Sequence, residues 1–120
     1  MAKNLEIAYL LDFYGDLLTE KQRDAVEYYY NDDLSLSEIA DNLGISRQGV
    51  RDSIKRAEAI LFNMEETLGL AKRFKEMQSG LDTIKNATKI IDERNMKIYR
   101  SDDINESVKI ILKTVDELCK

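Results

Sequence analysis

The chain has 120 residues, of which 43% are apolar and 34% charged, which suits one domain or a small domain with a helical extension. It contains no proline, which argues against turn-rich β folds and parallel α/β folds. It contains no histidine, which excludes Ser-His-Asp and Cys-His catalytic systems and histidine metal sites. Cys119 is the single cysteine and is expected to be a free thiol. We therefore expect no enzyme, no catalytic residues, no metal and no cofactor.

The charge is unevenly distributed along the chain. The formal net charge is −5, and residues 1–46 carry three basic and ten acidic side chains. Residues 47–56, in contrast, carry four basic side chains and one acidic one. The net charge argues against nucleic-acid binding, whereas the local basic segment is compatible with it or with a solvated helix face.

No apolar stretch approaches the length needed to span a membrane. The first 18 residues include Asp12 and Asp16 and lack the apolar core of a signal peptide. These features predict a cytoplasmic protein without membrane insertion.

The spacing of apolar residues predicts helices throughout the chain. The first is expected from about Asn4 to Leu18, with an apolar stripe formed by Leu5, Tyr9 and Phe13. Thr19 and Gln22 form a capping-box pattern ahead of a second helix over residues 20–30.

A third helix is predicted over residues 36–43, capped by Ser35 and Glu38, and ended by Gly44 in a left-handed conformation. Ser46 then caps a fourth helix of about 22 residues, which is expected to project beyond the domain. Its heptad-like stripe consists of Val50, Ile54, Ala57, Leu61, Met64 and Leu68.

Two further helices are predicted after Gly69. One continues to about Tyr99 with the stripe Phe74, Met77, Leu81, Ile84, Thr88 and Ile91. The other follows Ser101 and is expected to bury Ile104, Val108, Ile111, Leu112, Val115 and Leu118. The prediction is thus an all-α fold, with a domain over residues 1–68 and a C-terminal helical arm over residues 69–120. The arm is expected to make a homodimer; the alternative is that helices four, five and six cover one another within one chain.

Residues 36–55 fit a helix-turn-helix. Small Ala40 permits a close helix crossing, and Gly44 suits the turn. The apolar residues that can lock the two helices are Ile39, Leu43, Ile45, Val50 and Ile54. The helix after the turn would be a recognition helix, whose first residues reach base edges of DNA. The predicted nucleic-acid-binding residues are Ser46, Arg47, Gln48, Arg51, Lys55 and Arg56. Arg47 and Arg51 suit guanine or phosphate, and Gln48 suits adenine.

Other interpretations stay open for this motif and its surroundings. Helix-turn-helix pairs also serve as scaffolds, and the acidic body weakens non-specific attraction to DNA. The chain could instead be a protein–protein or RNA adaptor, and its long apolar-striped helices suit helical partners. The tyrosine run 28–30 is interpreted as core and rim rather than as a base-stacking surface.

The run from Asp12 to Glu58 resembles the YlxM family of small bacterial helix-turn-helix proteins. The resemblance rests on LLTEKQR, on the aromatic cluster before the acidic turn, and on the segment around Arg47, Gln48 and Lys55. The same run resembles region four of bacterial sigma factors. The resemblance to the YlxM family implies an all-α fold with a helix-turn-helix of the DNA-binding kind. It also implies a regulatory link to the signal recognition particle, with a protein-targeting GTPase or its RNA as the alternative partner. Gly49 stands where the motif would have alanine.

Overall fold

The computed structural model describes residues 3–119, which form six α-helices and no β-strand. The helices are α1 (Glu6–Tyr14), α2 (Glu20–Tyr30), α3 (Leu36–Leu43), α4 (Arg47–Leu68), α5 (Leu70–Arg94) and α6 (Asp102–Leu118). The predicted all-α fold is therefore confirmed. The chain forms two compact units, one up to Lys72 and one from Arg73 onward. No helix within residues 3–119 is long and apolar enough to cross a membrane.

The predicted buried face of α1 is wrong. Leu5, the first residue of the expected stripe, precedes the helix and is 81% exposed, and the other two are only partly buried. The residues that enter the core are Ile7, Leu10, Leu11 and Tyr14. This set also repeats at three- and four-residue intervals, so periodicity alone cannot choose between the two faces. The α-helix ends at Tyr14, and Gly15–Leu17 continue as one 3₁₀ turn.

Both predicted capping boxes are present. The Thr19 hydroxyl accepts a hydrogen bond from the Gln22 backbone amide at 3.2 Å, and the Gln22 side-chain oxygen accepts one from the Thr19 backbone amide at 3.1 Å. Ser35 and Glu38 do the same at the start of α3, at 3.1 and 3.2 Å. Each pair satisfies two backbone donors that a helix N-terminus otherwise leaves unpaired.

Helix α4 starts and ends where the sequence predicts and has the expected 22 residues. The expectation that it projects beyond its domain is wrong. Val50, Ile54, Ala57 and Leu61 are fully buried, and Met64 packs against the cluster that contains α1. Most of the heptad stripe of α4 is thus buried inside the first unit.

A polar corner joins the end of α4 to the start of α5. The Tyr14 hydroxyl donates to Glu65 Oε1 at 2.7 Å and accepts from the Leu70 amide at 3.1 Å. The Glu65 carboxylate also accepts the Ala71 and Lys72 amides, each at 3.0 Å. The hydrogen bond from Tyr14 is the main cause that lowers the pKa of Glu65. A carboxylate at a helix N-terminus is favoured by unpaired N–H groups and by the helix dipole.

The second unit contains α6 and most of α5, joined by a π turn at Asn95–Tyr99. Asn95 is 2% exposed, and its side-chain amide bonds both the carbonyl and the N–H of Ser101, at 2.9 and 2.8 Å. Lys85 forms an ion pair with Asp116 at 3.1 Å. These contacts hold the two helices side by side in an antiparallel hairpin.

The predicted buried stripes of α5 and α6 are only partly buried. Thr88, Val108 and Val115 are enclosed, as expected. The remaining large apolar members of the two stripes are either half-buried or exposed, the exposed ones being Met77, Ile84, Ile91, Ile104, Ile111 and Leu118. Two helices can cover only one line of contact on each other, so the second line stays open.

Candidate nucleic-acid interface

The turn between α3 and α4 has the geometry that the motif requires. Gly44 ends α3 with φ +67° and ψ 34°, a left-handed conformation that is strained for residues that carry a side chain. Its amide donates to the Ala40 carbonyl, and the Ile45 amide donates to the same oxygen at 3.1 Å. The chain therefore reverses within three residues and places the N-terminus of α4 next to the end of α3.

A buried cluster fixes the angle between the two helices. Ile39 and Ala40 of α3 pack with Val50 and Ile54 of α4, and Ala25 and Tyr29 of α2 complete the cluster. Leu43 and Ile45 pack against its edge. The orientation of α4 is therefore held by apolar contacts on three helices, as a rigid recognition element requires.

Ser46 caps α4, and Gly49 makes room for this cap. The Ser46 hydroxyl accepts the Gly49 amide at 3.0 Å. A Cβ atom on Gly49 would lie 3.2 Å from that hydroxyl and 3.5 Å from Ile45 Cδ1. An alanine would force the cap to move by a few tenths of an ångström. In the sequence, Gly49 is only a departure from the alanine of the motif. In the structure, glycine at this position avoids a tight contact with the Ser46 cap.

Arg47, Gln48 and Lys55 are exposed, as predicted. At about 100° of rotation per residue, Arg47, Gln48, Arg51 and Lys55 fall within roughly a 100° arc of α4. Arg56 lies about 180° from Arg47 on the same wheel, so it is not part of this arc. We call the four clustered residues the basic arc of α4.

Asp52 is a member of this surface that the predicted set omitted. The Gln48 side-chain nitrogen donates to Asp52 Oδ1 at 3.0 Å, one helical turn away. The contact orients the Gln48 amide and brings one negative charge to the border of the basic arc. The four-residue spacing of Gln48 and Asp52 is the sequence signal that could have identified the pair.

Arg51 is less exposed than the other three residues of the basic arc. Arg51 is half-buried, and its Nε atom is buried without a hydrogen-bond partner among residues 3–119. The inner part of its side chain is therefore desolvated, although the residue belongs to the surface of α4. A buried unpaired N–H costs about 1–3 kcal/mol. Arg51 is thus the residue of the basic arc whose hydrogen bonding a ligand or a water molecule would improve most.

The tyrosine run 28–30 packs against the helix-turn-helix. This confirms that these tyrosines belong to the core and its rim. Tyr29 is buried, and its ring meets that of Tyr30 edge to face at a centroid distance of 5.1 Å. The Tyr30 hydroxyl donates to Glu58 Oε1 at 2.6 Å and so ties α2 to α4. Burial, together with Glu58, raises the pKa of Tyr30.

Within the part of the chain that the structure describes, no cluster of three or more acidic or cysteine side chains could hold a metal ion.

Comparison with known proteins places this architecture among bacterial helix-turn-helix proteins. The model of the UPF0122 family, YlxM / p13 like helix-turn-helix proteins, matches residues 1–111. A UPF0122 protein of Thermoanaerobacter sp. strain X514 is 49% identical over 109 residues, covering 91% of this chain and 90% of the relative. One from Acetivibrio thermocellus is 46% identical over 117 residues, covering 98% and 93%. One from Bacillus cereus strain AH187 is 38% identical over 118 residues, covering 98% of both chains.

Proposed function

Because the chain belongs to the UPF0122 family of YlxM / p13 like helix-turn-helix proteins, we propose that it is a regulator that binds nucleic acid through the basic arc of α4. The observation that supports this most is the contrast in charge within one rigid unit. Residues 47–56 carry four basic side chains, whereas residues 1–46 carry a large acidic excess. The helix that carries the positive charge is also the one that the buried cluster holds in place.

The proposal assigns each residue a role from its position. Arg47 and Lys55 contact phosphates or base edges, and Gln48, oriented by Asp52, reads a base. Arg51 gains an acceptor for its unpaired nitrogen. Ser46 presents the capped N-terminus of α4 to a phosphate, and Arg56, on the far side of the helix, adds only long-range attraction.

The target is proposed to be duplex DNA, since an α-helix fits the major groove. Structured RNA is the second target class, because the resemblance implies a connection with the signal recognition particle. If RNA were the ligand, the protein would be an adaptor for a protein-targeting complex rather than a transcription regulator.

Fluorescence anisotropy with labelled random duplex DNA, and separately with structured small RNAs including that of the targeting particle, tests the proposal at two salt concentrations. The Arg47→Ala/Arg51→Ala variant is expected to bind at least about tenfold more weakly and to show a shallower salt dependence. The matched control is Lys89→Ala/Lys109→Ala, which removes two positive charges from exposed sites in the second unit. Equal binding by wild type and the arginine variant would refute the proposed interface.

We also propose that the protein acts as a homodimer through its C-terminal helices. Helix-turn-helix dimers bind two half-sites about 34 Å apart, or a multiple of that spacing, on one face of DNA. The exposed apolar side chains of α5 and α6 support a dimer, whereas the buried stripe of α4 is not available for one.

A further inference from the structure

Helix α5 carries a second apolar stripe that its partner in the hairpin does not cover. Met77, Ile84 and Ile91 are exposed by 57%, 49% and 49%, and they repeat every seven residues. Small residues Gly80 and Ala87 stand between them, also exposed, so that the spacing alternates between three and four. Alternating large and small residues at this spacing are typical of a helix seam, in which knobs enter holes.

Helix α6 repeats the same pattern. Ile104, Ile111 and Leu118 are exposed by 36%, 37% and 57%, again seven residues apart. The small residues Ser107 and Thr114 separate them at the same three-and-four spacing. The two helices therefore carry equivalent open stripes in addition to the stripes with which they contact each other.

The two open stripes lie on one side of the hairpin. A groove of about 310 Å³ is lined by Ile91 of α5 together with Asp103, Ile104, Ser107, Val108 and Ile111 of α6. Ile91 therefore lies beside the open stripe of α6, between Ile104 and Ile111. The exposed apolar residues of the two stripes form one face, which we call the open face; it consists of Met77, Ile84 and Ile91 of α5 and Ile104, Ile111 and Leu118 of α6.

A hairpin of this size needs a partner for such a face. The second unit spans residues 73–120, and domains below about 60 residues bury too little surface to be robust alone. Its enclosed side chains, Thr88, Asn95, Val108 and Val115, include two polar ones. An exposed contiguous apolar surface of this kind marks an interaction site.

The charges of the two helices indicate what covers the open face. Helix α5 carries six basic and four acidic residues, whereas α6 carries two basic and five acidic residues. A second copy turned by a two-fold axis parallel to the helices would place its α6 against α5 and its α5 against α6. Opposite net charges then meet in both contacts, and every neighbouring pair of helices is antiparallel.

We infer that the open face is the dimer interface, and that two hairpins associate through it into an antiparallel four-helix bundle in which α5 packs against α6 of the second copy. The centre of the bundle would then contain the six large apolar side chains of the open face from each chain. This inference rests on the proposed homodimer and specifies its surface; it does not depend on nucleic-acid binding.

The test is the mass of the full chain in solution, measured by analytical ultracentrifugation over a range of concentrations. Wild type is expected at twice the chain mass of 13.9 kDa. Ile84→Glu/Ile111→Glu is expected to raise the dimer dissociation constant by more than about 100-fold, because carboxylates would be buried in the centre. Ile90→Glu/Ile110→Glu is the matched control: these isoleucines are 54% and 64% exposed on the same helices but outside the open face.

Circular dichroism verifies that each variant keeps its helices, and Ile84→Ala/Ile111→Ala replaces the glutamate pair if that pair unfolds. A monomeric wild type would overturn both the homodimer and this surface. A dimer that survives the open-face variants, or is lost equally in the control, would overturn the surface alone.

Cysteine cross-linking tests the helix pairing within the dimer. In a Cys119→Ser background, chains with Ile84→Cys are mixed with chains with Ile111→Cys under mild oxidation. With equal amounts of the two chains, mixed disulfide dimers are expected well above the half of the product that random pairing would give, since α5 faces α6 of the second copy. A predominance of dimers between two Ile84→Cys chains would overturn this pairing.

Discussion

The two units of the chain use apolar periodicity in different ways. In the first unit, the heptad-like stripe of α4 is enclosed from Val50 to Leu61 by α1, α2 and α3, and only Leu68 at its end is exposed. In the second, α5 and α6 each carry two stripes, and only one of them is covered. The first unit is a complete core that positions a surface helix, whereas the second retains an apolar surface.

This difference shows that a heptad pattern predicts a helix seam but not the partner of that seam. In α4 the partner is the same unit of the same chain. In α5 and α6, one stripe has an internal partner and the other lacks one within the hairpin. The number of stripes on a helix, compared with the number of neighbours available to it, separates the two cases.

The largest expected effect comes from truncating the closed core. Leu61→Ala removes a fully buried side chain that packs with α1, and should destabilise the first unit by about 2–5 kcal/mol. Ile90→Ala, at a 54% exposed position of α5, should change stability by less than about 0.5 kcal/mol. Urea unfolding followed by circular dichroism measures both variants. Similar losses would contradict the contrast between the two units.

The next effect concerns the polar lock of the hairpin. Asn95→Ala leaves the N–H and the carbonyl of Ser101 without their side-chain partner in a buried position, and should cost about 1–3 kcal/mol. Asn86→Ala, on the exposed surface of α5, is the control. Hydrogen exchange should show faster exchange confined to residues 73–119. Unchanged protection there would mean that the turn does not hold the hairpin.

A smaller effect is expected at the start of the helix-turn-helix. Ser35→Ala removes the side-chain acceptor of the α3 capping box and should cost about 1 kcal/mol. Ser37→Ala, two residues later and exposed, should have little effect. Thermal unfolding of the two variants measures the difference. Equal melting temperatures would show that the cap contributes nothing to the stability of the motif.

Much of the fold was predictable because it depends on local chemistry. The capping boxes at Thr19 and Ser35, the left-handed Gly44 and the length of α4 all follow from signals within a few residues. The buried face of α1 was not predictable, since two stripes with similar spacing compete and only tertiary packing chooses between them. The projection of α4 failed for the same reason.

The candidate site was predictable as a set of residues but not as an environment. Arg47, Gln48 and Lys55 are exposed on one arc, as their spacing indicates. That Arg51 is half-buried and that Gly49 leaves room for the Ser46 cap depend on atomic contacts, which periodicity does not resolve. The contact between Gln48 and Asp52 is different, because its four-residue spacing is visible in the sequence.

The smallest expected effect is a dependence on acid pH in the first unit. The pKa of Glu65 in the folded protein lies below its ordinary value of 4.5, chiefly because the Tyr14 hydroxyl donates to the carboxylate. A lowered folded pKa means that the contribution to stability is fully present above about pH 4.5. It is lost as the pH falls through the folded value.

Unfolding of Glu65→Gln between pH 3 and 6 tests this assignment. The variant should be less stable than wild type near pH 6, and the difference should shrink as the pH falls through the lowered pKa of Glu65 and the wild-type carboxylate takes up a proton. Glu66→Gln, which changes the charge of an exposed neighbour, should retain the wild-type pH dependence. A constant difference across the range would assign the contribution of Glu65 to its shape rather than to its charge. Glu65 accepts hydrogen bonds from the Ala71 and Lys72 amides in the first turn of α5. A stability difference between variant and wild type that shrinks in acid would therefore show that the charged carboxylate stabilises this end of the first unit.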